Sequence, residues 1–226
     1  MFLPDFTWLI VLPALFFAIW AQSQVQSAFQ RNTRLQARSG LTGAQVSRQL
    51  LNEAGLTNVQ VELGQGQLTD HYDPRQQVVR LSPAVYQSSS LAALGIAAHE
   101  TGHAMQHAEG YLPLAFRNNI FPVANLGSRL AFPLFFLGFL FRGGLLMEIG
   151  IMLFGFAVLF QLVTLPVELN ASSRAIALLD NRGFLTSAEI GPTREVLRAA
   201  ALTYVAAVAV SITQLLRLLI LRNRRR

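Results

Sequence analysis

The chain has 226 residues, of which 52% are hydrophobic and only 13% charged, about half the charged share of an ordinary soluble domain, so a disordered or heavily solvated protein is excluded. Its basic residues are all Arg, 18 against 12 acidic residues, and the net charge of +6 suits nucleic acid or an anionic membrane surface equally on charge alone. No cysteine is present; disulfides, thiolate metal sites and cysteine nucleophiles are therefore excluded, and any metal must rest on His, Asp or Glu.

A bilayer core needs roughly 20 predominantly apolar residues in a helix. The first such segment is Leu3 to Ala21, with Trp8 and Trp20 near its ends as interfacial aromatics. No basic residue precedes it and Ala18-Ile19-Trp20 is a poor cleavage site, so it reads as a retained anchor rather than a signal peptide. Asn119 to Phe141 and Gly144 to Leu165 form an apolar hairpin reversed at Arg142-Gly143-Gly144. A charge at mid-depth is costly. With Pro122, Gly127 and Pro133 interrupting the pattern, the span is therefore expected to start after Arg129, leaving Phe121 to Arg129 at the interface. A fourth span, Ala199 to Leu221, precedes a run of arginines, toward which Arg217 is expected to snorkel.

Four spans make a single multi-pass domain over residues 1–226 and put residues 22–118 and 166–198 on one side of the membrane, where they can meet. Arg174, Arg182, Arg194 and Arg198, with Arg31, Arg34 and Arg38 close to the first span, tip that side toward the cytoplasm and the C-terminal arginines argue the reverse, so orientation is not decided by them.

Within the long loop, Thr42-Gly43-Ala44-Gln45 has the form of a capping box, and Gly55 closes the periodic run Val46, Leu50, Leu51, Ala54 of an amphipathic helix. Val59 to Leu63, Gln67 to Tyr72 and Gln77 to Leu81 read as short strands of a small antiparallel sheet, separated by turn residues. Ser82-Pro83 opens a short helical turn. Ser90 then caps a continuous helix from Leu91 to His107 that ends near Gly110. The predicted fold is thus mainly α, about four membrane helices with a zincin-like metal helix and a small sheet between the first two.

That metal helix contains His99-Glu100-Thr101-Gly102-His103, the H-E-x-x-H pattern. Two His four positions apart share one helix face and can point at one ion. Glu100 lies on the flank of that face, placed to take a proton from the attacking water. His107, a turn further on, stretches the set over roughly 12 Å of helix and fits a supporting role better than a ligand's. The metzincin pattern would need Gly at 106 and His at 109, where this chain has Gln106 and Glu109.

A catalytic zinc needs a third protein ligand. Glu168 follows the third span directly, where a carboxylate is costly unless something engages it. Glu109 sits on the wrong part of the metal helix and Glu148 at the opposite membrane face, so both compete less well. His71 and Tyr72 are the polar groups the strand layout brings nearest the site, and His71 is the candidate oxyanion donor. The strand Gln77 to Leu81, just ahead of the metal helix, is expected to be an edge to which an extended substrate adds.

Taken together, Leu68-Thr69-Asp70-His71-Tyr72-Asp73-Pro74, Val79-Arg80-Leu81-Ser82, Ala97 to Gln106 and Pro166-Val167-Glu168-Leu169-Asn170-Ala171-Ser172 resemble the bacterial YugP family of neutral zinc metallopeptidases, over nearly the whole chain. A more distant likeness is to membrane zinc endopeptidases of the HtpX and Ste24 type. The resemblance implies one Zn2+ per chain on His99, His103 and Glu168, with Glu100 as general base. It also implies Asp where this chain has Asn170 and, in the HtpX-like helix, Asp where it has Ser172. The function expected is a membrane-embedded zinc endopeptidase acting on unfolded or juxtamembrane protein segments, its partners a protein or peptide substrate and the lipid bilayer, and the resemblance implies a bacterial inner (plasma) membrane as its location. The alternative is a non-catalytic, zinc-stabilised membrane scaffold or adaptor, against which the retained Glu100 argues. Nucleic acid is not an expected partner, because the arginines are dispersed and flank the membrane. No feature fixes an oligomeric state.

Overall fold

The computed structural model describes residues 6–224; Leu3 to Asp5 of the first expected span and Arg225 and Arg226 of the arginine run lie outside the described residues. In chain order the elements are α1 (Trp8–Thr33), α2 (Gly43–Glu53), β1 (Gln60–Leu63), β2 (His71–Asp73), β3 (Val78–Leu81), α3 (Pro83–Tyr86), α4 (Leu91–Ala108), α5 (Leu112–Phe141), α6 (Gly144–Asn181) and α7 (Ser187–Asn223). Helices α1, α5, α6 and α7 are long and apolar enough to cross a membrane, and the chain is a mainly α membrane protein. Two compact units divide it, one from residues 1–21, 113–166 and 202–226, the other from 22–112 and 167–201.

In the first unit the helices meet through small residues. A Cβ at Gly150 would stand 2.7 Å from the Ala131 carbonyl oxygen, and one at Gly127 would stand 2.5 Å from that of Leu153. Such close backbone approach is how helices associate where lipid removes the hydrophobic drive. Around these contacts Ala131, Phe135, Met147, Phe154, Val158 and Leu218 are buried, while Phe16, Ile19, Leu140 and Leu145 are exposed as lipid-facing residues would be.

Two expectations fail here. Helix α5 runs unbroken with Pro122 and Pro133 inside it and Arg129 exposed on its surface, so the expected interruption at Pro122, Gly127 and Pro133 is not found. Proline within a membrane helix is tolerated because neighbouring groups satisfy the carbonyl it frees. Nor does Arg217 snorkel: it is buried, its Nε donates to Thr7 Oγ1 at 3.2 Å, and its guanidinium carbon lies 3.9 Å from the Trp8 ring centroid. A cation over an indole face is stabilised by the ring quadrupole, an alternative to reaching water.

The second unit is built around α4. Its N-cap forms as the sequence predicts, Ser90 Oγ accepting from the Ala93 N–H at 3.2 Å, and Gly110 terminates the helix at φ +65°. The capping box of α2 is likewise present, and Ser47 on α2 donates to the Ala97 carbonyl at 3.1 Å, fastening α2 to α4. One face of α4 closes over Leu51, Val59, Val79, Leu81 and Val85. The other packs with Leu50, Ala175, Leu179, Ile190 and Leu197 from α2, α6 and α7.

The sheet differs from the expected antiparallel one. Its order is β1-β3-β2, with β1 parallel to β3 and β2 antiparallel to it. The turn Asp73 to Gln77 makes the β2–β3 hairpin, helped by Asp73 Oδ1 accepting from the N–H groups of Arg75 and Gln76. The segment 64–70 is long enough to carry the chain from β1 past β3, and Asp70 secures it by accepting from the Ser82 N–H at 2.7 Å. Hence β3 is central, with Val79 paired to both Val61 and Tyr72, and it offers no free edge to a substrate. Leu68, at φ +54°, belongs to the connecting loop rather than to β2.

Candidate metal centre

Helices α4 and α6 touch along two facing stripes, His99, Gly102, His103 and Gln106 on one and Glu168, Ala171, Ser172 and Ala175 on the other. Both carry the i, i+3, i+4, i+7 spacing of one helix face. Gly102 sets their separation: a Cβ there would stand 3.1 Å from the Ala171 carbonyl oxygen. The approach brings Glu168 Oε2 to 3.3 Å from His99 Nε2 and 3.4 Å from His103 Nε2. One ligand atom from each of the three residues lies within 4.8 Å of the others, and the imidazole planes stand at 86°. His103 and Glu168 are buried and His99 nearly so.

The far sides of these rings are occupied. Ser172 Oγ lies 3.1 Å from His99 Nδ1 and Gln106 Oε1 lies 2.9 Å from His103 Nδ1, which leaves both Nε2 atoms turned inward. Metal-ligating histidines characteristically engage their second nitrogen in this way. Where an Asp was expected, the Ser172 hydroxyl takes the place beside His99, and Asn170 supports Gln106 through Oδ1 at 2.8 Å. Neither Ser172 nor Asn170 leaves its position unsupported.

Electrostatically the site favours a cation. Burial alone would push the His103 imidazole down, but the Glu168 carboxylate beside it, with Glu100 adding its charge, holds it above its ordinary value. Burial would likewise push Glu168, just beyond the apolar run ending at Leu165, upward. His103 and His99 outweigh that and hold its carboxyl well below the usual carboxylate range. Two imidazoles and one carboxylate, closely gathered and inward-facing, fit the donor set of a catalytic zinc with three protein ligands and an open position.

Glu100 is buried beside the cluster, and its side chain makes no hydrogen bond among the described residues. The other sequence candidates are committed elsewhere. Glu109 Oε1 pairs with Arg174 at 2.7 Å and Glu148 with Arg222 at 3.1 Å. His107 Nδ1 meets the Tyr72 hydroxyl at 2.9 Å. His71 is exposed on β2 and is not gathered into the cluster; its Nδ1 donates to the Thr69 carbonyl at 2.7 Å. A neutral His71 therefore carries a lone pair at Nε2, and it can donate to an oxyanion only as imidazolium. Gln106 went unassigned in the sequence, although its place on the stripe with His99 and His103 was a readable signal.

These features define a three-residue cluster that could hold a metal ion in a membrane protein, and comparison with known proteins gives the family. Residues 7–223 match the family model described as "Putative neutral zinc metallopeptidase", and the chain belongs to that family. It is 50% identical over 209 residues, 92% of each chain, to the protein of Bacillus subtilis (strain 168) named "Putative membrane protease YugP". No solved structure matches it.

Proposed function

We propose that this chain is a zinc endopeptidase of a bacterial inner (plasma) membrane, cutting unfolded or juxtamembrane segments of other proteins. The observation that carries the reading is the combination of a three-donor cluster, His99 and His103 on α4 with Glu168 on α6, and Glu100, a neighbouring carboxylate not engaged in any side-chain hydrogen bond among the described residues. His99, His103 and Glu168 would hold one zinc per chain, which when bound supplies Lewis acidity that lowers the pKa of a water and polarises the scissile carbonyl. Glu100 accepts the proton given up as the water attacks and delivers it to the departing amide nitrogen, so that the peptide leaves as an amine. The oxyanion role is assigned to His71.

Substrate alignment follows from the sheet. With β3 central, the free edges belong to β1 and β2, and β2 is the one tied to the metal helix, through Tyr72 and His107. An extended segment adding to β2 would be held through its main chain with little side-chain selection, which favours unfolded stretches over compact domains. The test is cleavage of casein beside a compact folded protein by the purified, zinc-loaded chain. The account expects casein to be cut and the folded protein spared; equal cleavage of both would remove the edge-pairing account.

A further inference from the structure

We propose that the cavity at the turn joining α5 to α6 is a binding site for the phosphate of an anionic phospholipid, held by Arg142 and Arg224. The inference is independent of the zinc reading and concerns residues that no step of peptide cleavage uses.

The cavity, of about 710 Å³, lies where three membrane helices end: α5 and α6 meet at the turn, and the last residues of α7 close it. Its volume is within the range of small-ligand sites. Arg142, Arg222 and Arg224 face a single carboxylate there, Glu148. Arg222 is already engaged, its Nη1 donating to Glu148 Oε2 at 3.1 Å and its Nε to Asn223 Oδ1 at 3.2 Å. Neither Arg142 nor Arg224 has a carboxylate partner among the described residues. Two guanidiniums lining one cavity without a counter-charge repel each other, and a phosphate entering it relieves that repulsion and accepts hydrogen bonds from both.

The backbone points the same way. The Gly143 N–H donates to the Gly138 carbonyl at 2.9 Å, the bond that closes a Schellman helix ending, and Arg142 holds the left-handed position of that motif at φ +54°. Glycine takes this position without strain and arginine does not. A strained residue that lines a cavity is accounted for when its side chain binds something there. The source of the phosphate follows from the rim. Phe139 and Leu145 give the cavity an apolar side, and Leu140, Phe141 and Leu145 are 69%, 73% and 74% exposed. Free phosphate would leave that surface uncovered, whereas a phospholipid covers it with its own acyl chains. Basic pockets between membrane helices hold phosphate head groups by this combination.

The experiment uses the full-length chain in an uncharged detergent, freed of lipid and titrated with phosphatidylglycerol or with phosphatidylcholine of the same acyl chains. Bound lipid is counted by native mass spectrometry. Wild type is expected to bind phosphatidylglycerol in preference to phosphatidylcholine. Arg142→Gln and Arg224→Gln should each weaken that binding about 5-fold and the double variant about 30-fold. Arg194→Gln, an equal loss of charge outside the cavity, should leave it unchanged. Arg142→Gly removes the guanidinium and the backbone strain together; it should melt no lower than wild type without lipid and gain less than wild type from phosphatidylglycerol. Equal binding of the two lipids overturns the proposal, as does an undiminished affinity in the double variant. An equal loss in Arg194→Gln would reduce the effect to net charge and overturn it too. Inorganic phosphate that displaces the lipid at equal concentration would make free phosphate the ligand and end the lipid assignment. A lower lipid-free melting temperature in Arg142→Gly would make Arg142 a structural residue and remove it from the site.

Discussion

The proposed mechanism gives Glu100 a task separable from that of His99, His103 and Glu168, and substitutions should separate them. Glu100→Gln preserves the shape of the side chain but cannot accept a proton; cleavage should fall by about 10²-fold to 10⁴-fold with zinc content unchanged. His99→Ala and His103→Ala should each reduce zinc to well below one per chain, measured by elemental analysis after gel filtration. Glu168→Gln should weaken zinc far more than Glu109→Gln, since Glu109 points to Arg174 and Glu168 to both imidazoles. Chelator competition on the pair decides it, and the reverse order would move the third ligand to Glu109. The ligand set could be proposed from sequence because H-E-x-x-H fixes two donors on one helix face and the four-span parity brings a single well-placed carboxylate to the same side.

At the scale of elements, the helix caps, the apolar runs and the metal helix were legible because each is written locally, in a capping residue, a period or a terminating glycine. Sheet order was not, since pairing of β1 with β3 depends on the connection 64–70 and on Asp70 reaching Ser82, which no local pattern encodes. The prolines of α5 misled for a related reason: a helix break in water is tolerated within a membrane unit. Two expectations follow from the observed packing. Gly102→Val would drive a side chain against Ala171, separating α4 from α6, and zinc binding should be lost even though no ligand is changed; full zinc content in that variant would contradict the close-approach account. Val79→Pro would remove a ladder donor from a strand paired on both sides, so it should lower the melting temperature of the protein itself rather than act on substrate alone. An unaltered melting temperature would contradict the central placement of β3.

Across the whole molecule, four apolar helices and a three-donor cluster that could hold a metal ion occur in one short chain, so the proposed chemistry and membrane residence belong to the same polypeptide. The parity expectation that residues following the third span join the long loop is realised within the site-bearing unit, where Glu168 meets His99 and His103. With no native cysteine, sidedness can be read from one introduced label: Gln65→Cys, on the exposed 64–70 loop, should resist an impermeant maleimide in intact cells and react in inverted vesicles if the site faces the cytoplasm. Labelling in intact cells would place the site outside. The most direct test of the central claim is the rate of casein cleavage by zinc-loaded wild type and Glu100→Gln, purified in parallel and matched for bound zinc. The account predicts turnover by wild type and near-complete loss in the variant at equal zinc content; equal rates in the two would contradict it.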